Sequence, residues 1–489
     1  MPTGNMKIRF DTMMFKRNIG YAFGGALLTT VLWSSCAVQQ HNPAADLVLQ
    51  DTFRNENTAW LQDSSIAKIS YADFFQDPVL VQLIDRAMLN NNDLQVALKQ
   101  IEFAAQGYTQ AKWLYAPVVN ANLANVTVNR PSSNSMNGIM ASEFMGQKYT
   151  MDYTSVVNLS WEVDVWGKIK GQKQEALMDL LKTQEASRAV KTRVVTEVVQ
   201  GYYNLLMLDK QLEITRENLI FADSTLAILE KQQVLGLINS LAVQQQQLTR
   251  DQIAKNIPAV ESAISIQENA LSILVGVMPD RVERKAGLNQ VYVPQGLATG
   301  VPAELLSYRP DVRTSELDVR RSMASIHVAK VSMYPVLNIT AQGGLNALKA
   351  HNWFNIPGSL FGVAAGAIAQ PILNGRQLKT RYEQAKIVAE QAEINFKQSV
   401  LKAVGEVSDA LVQIQKLDEQ EKISDGMVAQ SGRLVDNALL LYKYNDATYL
   451  EVIVAQTNKL QAELDLASVK AQKLQAITML YRSLGGGWQ

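Results

Sequence analysis

Residues 157–165 read Val157-Asn158-Leu159-Ser160-Trp161-Glu162-Val163-Asp164-Val165, an unbroken alternation of apolar and polar side chains. Successive side chains of a strand point to opposite faces. The spacing therefore puts Val157, Leu159, Trp161, Val163 and Val165 on one face and Asn158, Ser160, Glu162 and Asp164 on the other. A strand with one apolar and one polar face suits a half-buried soluble sheet or a wall between lipid and a wet lumen. Just past it the period changes. No proline occurs between Pro131 and Pro258, and Val198, Leu205, Leu212, Leu219 and Leu226 recur every seven residues. That is the period of coiled-coil packing. A single helix over 168–232 is on the order of 100 Å long at the α-helical rise, too long for a compact domain, and must lie lengthwise against partners.

The same order of features returns further along. After Pro335, Leu337, Ile339 and Ala341 oppose Asn338, Thr340 and Gln342; after Pro371, the last proline, Ile453, Leu460, Ala467, Leu474 and Tyr481 again keep a period of seven. Two weaker strands are expected at 118–129, rich in Asn and Val, and at 360–370, largely Ala and Gly. The polar stretches 130–152 and 346–358 between paired strands read as exposed loops. Asp93, Leu94 and Pro117 fall 218 positions before Asp311, Val312 and Pro335, Gly167 falls 208 before Gly375, and Gly236, Leu241, Val243 and Gln247 fall 209 before Asn445, Leu450, Val452 and Gln456. The chain is thus an internal duplication. It divides into 1–35; 36–75, an extended segment; 76–278, a first repeat with strands at 118–129 and 153–165 and a helical hairpin over 168–277; 279–308, a linker; and 309–489, a second repeat with strands at 336–345 and 360–370 and a hairpin over 376–484. Gly236 and Asn445 both tolerate the left-handed conformation of a tight turn between helices.

Composition narrows the class. Lys plus Arg and Asp plus Glu number 46 each in 489 residues, so no basic field is present to hold nucleic acid. The single cysteine, Cys36, excludes an internal disulfide framework and any Cys-based metal cluster. Lys16 and Arg17, an apolar run from Ile19 to Trp33, and Ser34-Ser35-Cys36 follow the order of a signal peptide over 1–35. The run is short for a membrane span. Small residues before the Cys resemble a bacterial lipobox, with Cys36 acylated, and Ala37 is similar to the residue after the Cys in outer-membrane lipoproteins. The alternatives are an uncleaved anchor and an ordinary signal peptide with a chance Cys. No later segment reads as a transmembrane helix, so a membrane crossing would have to use strands.

Two strands per repeat give four per chain, and about eight are needed to close even a narrow barrel. Open strand edges are not tolerated in hydrocarbon, so several copies must share one barrel. Two copies or three both satisfy that count.

Nearly the whole chain after Cys36 resembles the TolC/NodT-type outer-membrane factors of tripartite efflux pumps, especially their lipoprotein branch. The resemblance rests on Ala72-Asp73-Phe74-Phe75 with Asp77-Pro78, Asn91-Asn92-Asp93-Leu94, Trp161-Glu162-Val163-Asp164-Val165-Trp166-Gly167, Arg309-Pro310-Asp311-Val312, Gln370-Pro371-Ile372 and Leu484-Gly485-Gly486-Gly487-Trp488. It implies a mainly α fold with a membrane β-barrel: a homotrimer whose chains each give four strands to a shared twelve-stranded barrel, continued by a periplasmic tunnel of coiled-coil helices. It implies a lipid-anchored subunit in the outer membrane that hydrolyses nothing and needs no cofactor or metal. Its expected partners are a periplasmic adaptor and an inner-membrane transporter of the RND type. The tip turns are 235–241, with Gly236, Leu237, Ile238, Asn239 and Ser240, and 444–450, with Asn445, Asp446, Thr448 and Tyr449. The strand positions expected to face the lumen are Asn158, Ser160, Glu162, Asp164, Asn338, Thr340 and Gln342. The first tip carries no charge and the second carries Asp446, expected either to join a ring of three carboxylates near the entrance or to be a solvated turn residue.

Other features carry less. Met136, Met140, Met145 and Met151 fall in the first outer loop, where thioethers could bind a soft metal but also suit an adaptable surface. His41, His327 and His351 belong to three separate regions, and His327 among Ile326, Val328 and Val331 reads as a packing residue. Glu162 and Asp164 lack the pocket that paired catalytic acids need. Gly485–Gly487 follows a helix and is no phosphate loop. Two rival functions are a protein-secretion duct of type I and a helical scaffold lipoprotein without a pore, the latter disfavoured by the alternating strands.

Overall fold

The computed structural model describes Phe53, residues 65–292, Thr299, and residues 302–444 and 446–488. Cys36, the signal segment and Asn445 lie outside the described residues. After a 3-10 turn at Ile66–Lys68 come α1 (Tyr71–Phe75), α2 (Pro78–Asn90), α3 (Asn92–Trp113), β1 (Val118–Asn129), α4 (Met136–Met145), β2 (Thr150–Val163), α5 (Lys168–Val234) and α6 (Ser240–Val275). The second half gives α7 (Leu305–Tyr308), α8 (Pro310–Val331), β3 (Val336–Ala347), β4 (Leu360–Ala369), α9 (Gln377–Lys443) and α10 (Tyr449–Ser483).

The duplication is visible element by element. Helices α3 and α8 both have 22 residues, β1 and β3 both have 12, and α5 and α9 both have 67. The long helices start one residue after Gly167 and Arg376, both in the left-handed region at φ 77° and 65°. The structural partner of Gly167 is therefore Arg376, not Gly375, and the spacing of 209 holds from this corner to the tips. Gly375 is an added left-handed residue at φ 59° in the longer second linker.

Helix α5 packs on α6, α3, α8 and α10, while α9 packs on α10 and α8. The period of seven is a packing stripe over part of its length: Val198, Leu205, Ala467, Leu474 and Tyr481 are buried, while Leu212, Leu219, Leu226, Ile453 and Leu460 are half-buried. Near the tips Leu229, Val435, Ala438, Val452 and Ala455 form one apolar core that joins the two hairpins. Pro258 lies inside α6 and does not end it, because the helix runs from Ser240 to Val275.

Several quoted motifs are corners of this frame. Asp77 caps α2 by accepting from the N–H groups of Val79 and Leu80, with Pro78 at the first helical position, where its missing N–H costs nothing. Asn91, buried between α2 and α3, accepts from Leu94 N–H at 3.0 Å and donates to Leu274 O at 2.7 Å, tying this corner to the end of α6. Phe74 stacks on Tyr481 at 4.3 Å, and the Tyr481 hydroxyl donates to Ile69 O at 2.7 Å. Arg309, its side chain 7 % exposed, pairs with Asp311 at 2.6 Å and Glu406 at 2.7 Å and donates to Ser483 O at 3.1 Å. Trp488 Nε1 donates to Tyr308 O at 3.1 Å, and Arg188 lies over its ring at 4.5 Å.

Three further expectations are corrected. The loop 130–152 contains a ten-residue helix, α4, which its sequence conceals because Asn137, Ser142 and Glu143 are scattered among its apolar residues and leave no single apolar face. The end of the segment expected to be extended, Ser65–Phe75, forms a 3-10 turn and a short helix. Asp164, expected on a strand, lies one residue beyond β2.

Candidate functional site

The four strands form one antiparallel sheet in the order β1-β2-β3-β4. Its register brings the polar positions together. Asn158 lies opposite Gln342, Ser160 opposite Thr340 and Glu162 opposite Asn338, in three successive cross-strand pairs. Asn120 extends the first row across β1, and Val363, Ala365 and Ala367 continue the three rows across β4. The intervening residues make the other face: Leu159 opposite Ala341, Trp161 opposite Ile339 and Val163 opposite Leu337. Because the pleat of β2 and β3 alternates without a break, a one-residue slip would exchange the faces, so this register is what gives the two central strands one polar and one apolar side. Strands β1 and β4 each keep one unpaired edge among the described residues.

The sheet meets the long helix through residues 161–168. The indole N–H of Trp161 donates to Tyr115 O at 2.9 Å, and that of Trp166 donates to Pro335 O at 2.7 Å. Glu162, at the end of the polar face, is held by Lys168 at 3.0 Å. The Asp164 carboxylate accepts from the N–H groups of Ile169 and Lys170 at 3.0 and 2.9 Å, so it caps the start of α5. His327 Nε2 donates to Gly167 O at 3.1 Å, which makes it the satisfied packing histidine its surroundings indicate. Gly171 lies so close to α8 that an added Cβ would stand 2.6 Å from Val328 Cγ2.

At the far end of the helices the two tips are built alike. Leu237 N–H donates to Gln232 O and Gly236 N–H to Gln233 O, both at 2.9 Å, with Gly236 at φ 72°. This is the Schellman closure of a helix. The second tip makes the matching six-residue bond, from Asp446 N–H to Leu441 O at 2.9 Å. Asn239 caps α6, accepting from Ala242 N–H at 3.3 Å, and Thr448, 209 residues on, caps α10 in a capping box with Glu451. The hydrogen bonds from Thr448 hold the Glu451 carboxyl below the usual carboxylate range. Gly236, Leu237, Asn239, Ser240, Asp446 and Thr448 are exposed and Ile238 is half-buried. Tyr449 turns inward and is 6 % exposed, stacked edge-on against Tyr442, whose hydroxyl donates to Gln232 of the other hairpin. That cross-hairpin bond, like the Arg309 cluster, has no periodic or compositional signal in the sequence.

Among the described residues no three His, Cys, Asp or Glu side chains gather as a metal site, and no helix is long and apolar enough to cross a membrane. Met136 and Met140 are exposed on α4, and Met151 Sδ accepts from the Tyr153 hydroxyl.

Residues 83–277 and 301–486 match the family described as outer membrane efflux protein, one stretch in each repeat. The chain belongs to this family. The cation efflux system protein CusC of Escherichia coli O6:H1 is 26 % identical over 416 residues, 85 % of this chain and 88 % of that one. The probable outer membrane lipoprotein SilC of Salmonella typhimurium is 25 % identical over 458 residues, 93 % of this chain and 95 % of that one. A membrane protein from Pseudomonas aeruginosa of known crystal structure shares the fold with a TM-score of 0.82, at 23 % identity, over 92 % of this chain and 99 % of that one. As a member of the outer membrane efflux protein family, the chain is an outer-membrane efflux component, and the polar sheet face and the helical tips are where its transport surface is to be sought.

Proposed function

We propose that three copies of this chain form one duct, with the open edge of β4 in each copy pairing with β1 of the next. The reading rests on one observation: a four-stranded sheet with two unpaired edges, one face of which carries the aligned rows Asn158–Gln342, Ser160–Thr340 and Glu162–Asn338. Antiparallel order continues across such a joint, because β4 runs opposite to β1. The apolar rows then face lipid and the polar rows line water. Twelve strands leave such an opening, whereas four cannot close. Exposed apolar side chains along the outer helices, Val96 and Phe103 on α3 and Ile394 and Leu401 on α9, fit the same contact between copies.

In this reading the long helices of three copies make a periplasmic tunnel, and the subunit conducts passively and catalyses nothing. A periplasmic adaptor meets the tips and connects them to an inner-membrane transporter of the RND type, which selects the cargo. Cys36 carries the lipid anchor. The exposed Asp446 carboxylates gather at the entrance, where three like charges attract cations. The test is reconstitution of the purified protein in planar bilayers, with conductance and oligomer mass measured together. A conducting trimer is expected; a nonconducting monomer sinks the proposal.

A further inference from the structure

Charge is spread unevenly at the border between sheet and helices. The chain crosses this border four times: at the end of α3, the start of α5, the end of α8 and the start of α9. On the helical side of these crossings, residues 108–113, 168–173, 326–331 and 376–381 hold eight Lys or Arg and no Asp or Glu, in a chain whose totals are 46 and 46. Helix electrostatics cannot be the reason. Six of the eight stand at the starts of α5 and α9, where the helix dipole favours acids and disfavours bases.

Pairing within the chain is not the reason either. Lys168 is held by Glu162 at 3.0 Å, but Lys112, Lys170, Arg376, Lys379 and Arg381 are exposed and form no ion pair among the described residues. Glu383, the first acid along α9, is already taken by Lys386 at 2.6 Å. Apolar side chains stand bare at the same crossings: Trp113 is 71 % exposed, Ile372 87 % and Leu373 95 %. Bases without a partner in their own chain, beside exposed apolar groups that flank the β4–β1 joint between copies, are the chemistry of a lipid surface, with anionic headgroups at one level and hydrocarbon at the next.

We propose that these crossings form a basic collar that binds the phosphate groups of anionic phospholipids in the periplasmic leaflet of the outer membrane. Lys170, Arg376, Lys379 and Arg381 meet the headgroups, while Trp113, Ile372 and Leu373 enter the acyl boundary. An acidic cell-wall polymer would satisfy the charges but would leave those three side chains in water. The collar rests on the barrel reading above, and conductance of the same preparation separates the two: a conducting duct without lipid preference removes the collar alone.

The test uses the full-length protein in phosphatidylcholine nanodiscs containing spin-labelled phosphatidylglycerol or spin-labelled phosphatidylcholine, reading the fraction of probe immobilised by the protein. Wild type should prefer phosphatidylglycerol by roughly five-fold, equivalent to about 1 kcal/mol for one basic side chain at an anionic surface. The preference should fade in strong salt, where the screening length shrinks to about 3 Å. In the combined variant K170Q, R376N, K379Q and R381Q it should fall towards unity, Asn being chosen because it accepts the left-handed backbone at 376. The pair K255Q and K422Q, on exposed helix surface away from the border, should keep it. Equal immobilisation of both probes by wild type, or a preference that survives salt or the combined variant, overturns the collar. Variant-sensitive binding to purified sacculi without lipid preference overturns it in favour of the cell wall.

Discussion

Arg309 is a cation held almost out of water, and its two carboxylates and the Ser483 carbonyl are what make that position tolerable. Its removal leaves the end of α10 without a donor and Glu406 without its closest base. Arg309→Met should destabilise the protein by about 2 kcal/mol, in the range of lost hydrogen bonds to charged groups, read as a lower melting temperature of the detergent-solubilised assembly. Burial acts to raise the pKa of Asp311, but the Arg309 guanidinium outweighs it and holds the carboxyl below its ordinary value. The resulting stability is complete above the ordinary carboxylate pKa and is lost as pH falls through the lowered one. Melting should therefore drop more steeply below about pH 4 in wild type than in Asp311→Asn; parallel curves would show that the pair contributes nothing. Two glycines make a second comparison. Gly276 at φ 79° would place a Cβ 2.3 Å from the Asn90 carbonyl oxygen, whereas Gly236 at φ 72° has open space around it. Gly236→Ala should cost about 1 kcal/mol of local strain, and Gly276→Ala clearly more, because backbone must move. Hydrogen exchange at the tip and at the α2–α3 corner distinguishes the two.

The elements were legible in the sequence to different degrees, for physical reasons. Strand β2 declares itself because lipid or core on one side and water on the other impose a period of two. Helices α5 and α9 do so because their length forces a packing stripe, and their ends fall within a few residues of those expected. Helix α4 was hidden because its polar residues Asn137, Ser142 and Glu143 are spread around it and leave no periodic face. Asp164 continued the alternation of β2 in sequence while its carboxylate was capping the next helix, which no pattern of polarity can reveal. Between the sheet faces the expected difference is large. Ile339→Lys puts a charge on the apolar side and should hinder membrane assembly, at a cost of about 2–4 kcal/mol near the bilayer midplane. Thr340→Lys, one residue on, should assemble normally and lower cation conductance. Equal assembly yields of the two variants, measured by outer-membrane fractionation, would contradict the assignment of faces.

At the scale of the whole molecule, the duplication sets two equal hairpins side by side and gives them different ends. The first tip exposes Leu237 at 68 % and no charge, while the second exposes Asp446. Asp446→Asn should weaken block of the reconstituted channel by divalent cations added on the tip side; unchanged block leaves Asp446 a solvated turn residue. The open edges of the sheet also bear on heredity. In the proposed trimer, a subunit that shares its barrel with two others exposes every duct to the weakest of its three members. In a cell making intact and assembly-competent but blocked chains in equal amounts, random mixing leaves about one duct in eight wholly intact. A blocked allele is therefore expected to be dominant, and its severity to follow the cube of the intact fraction.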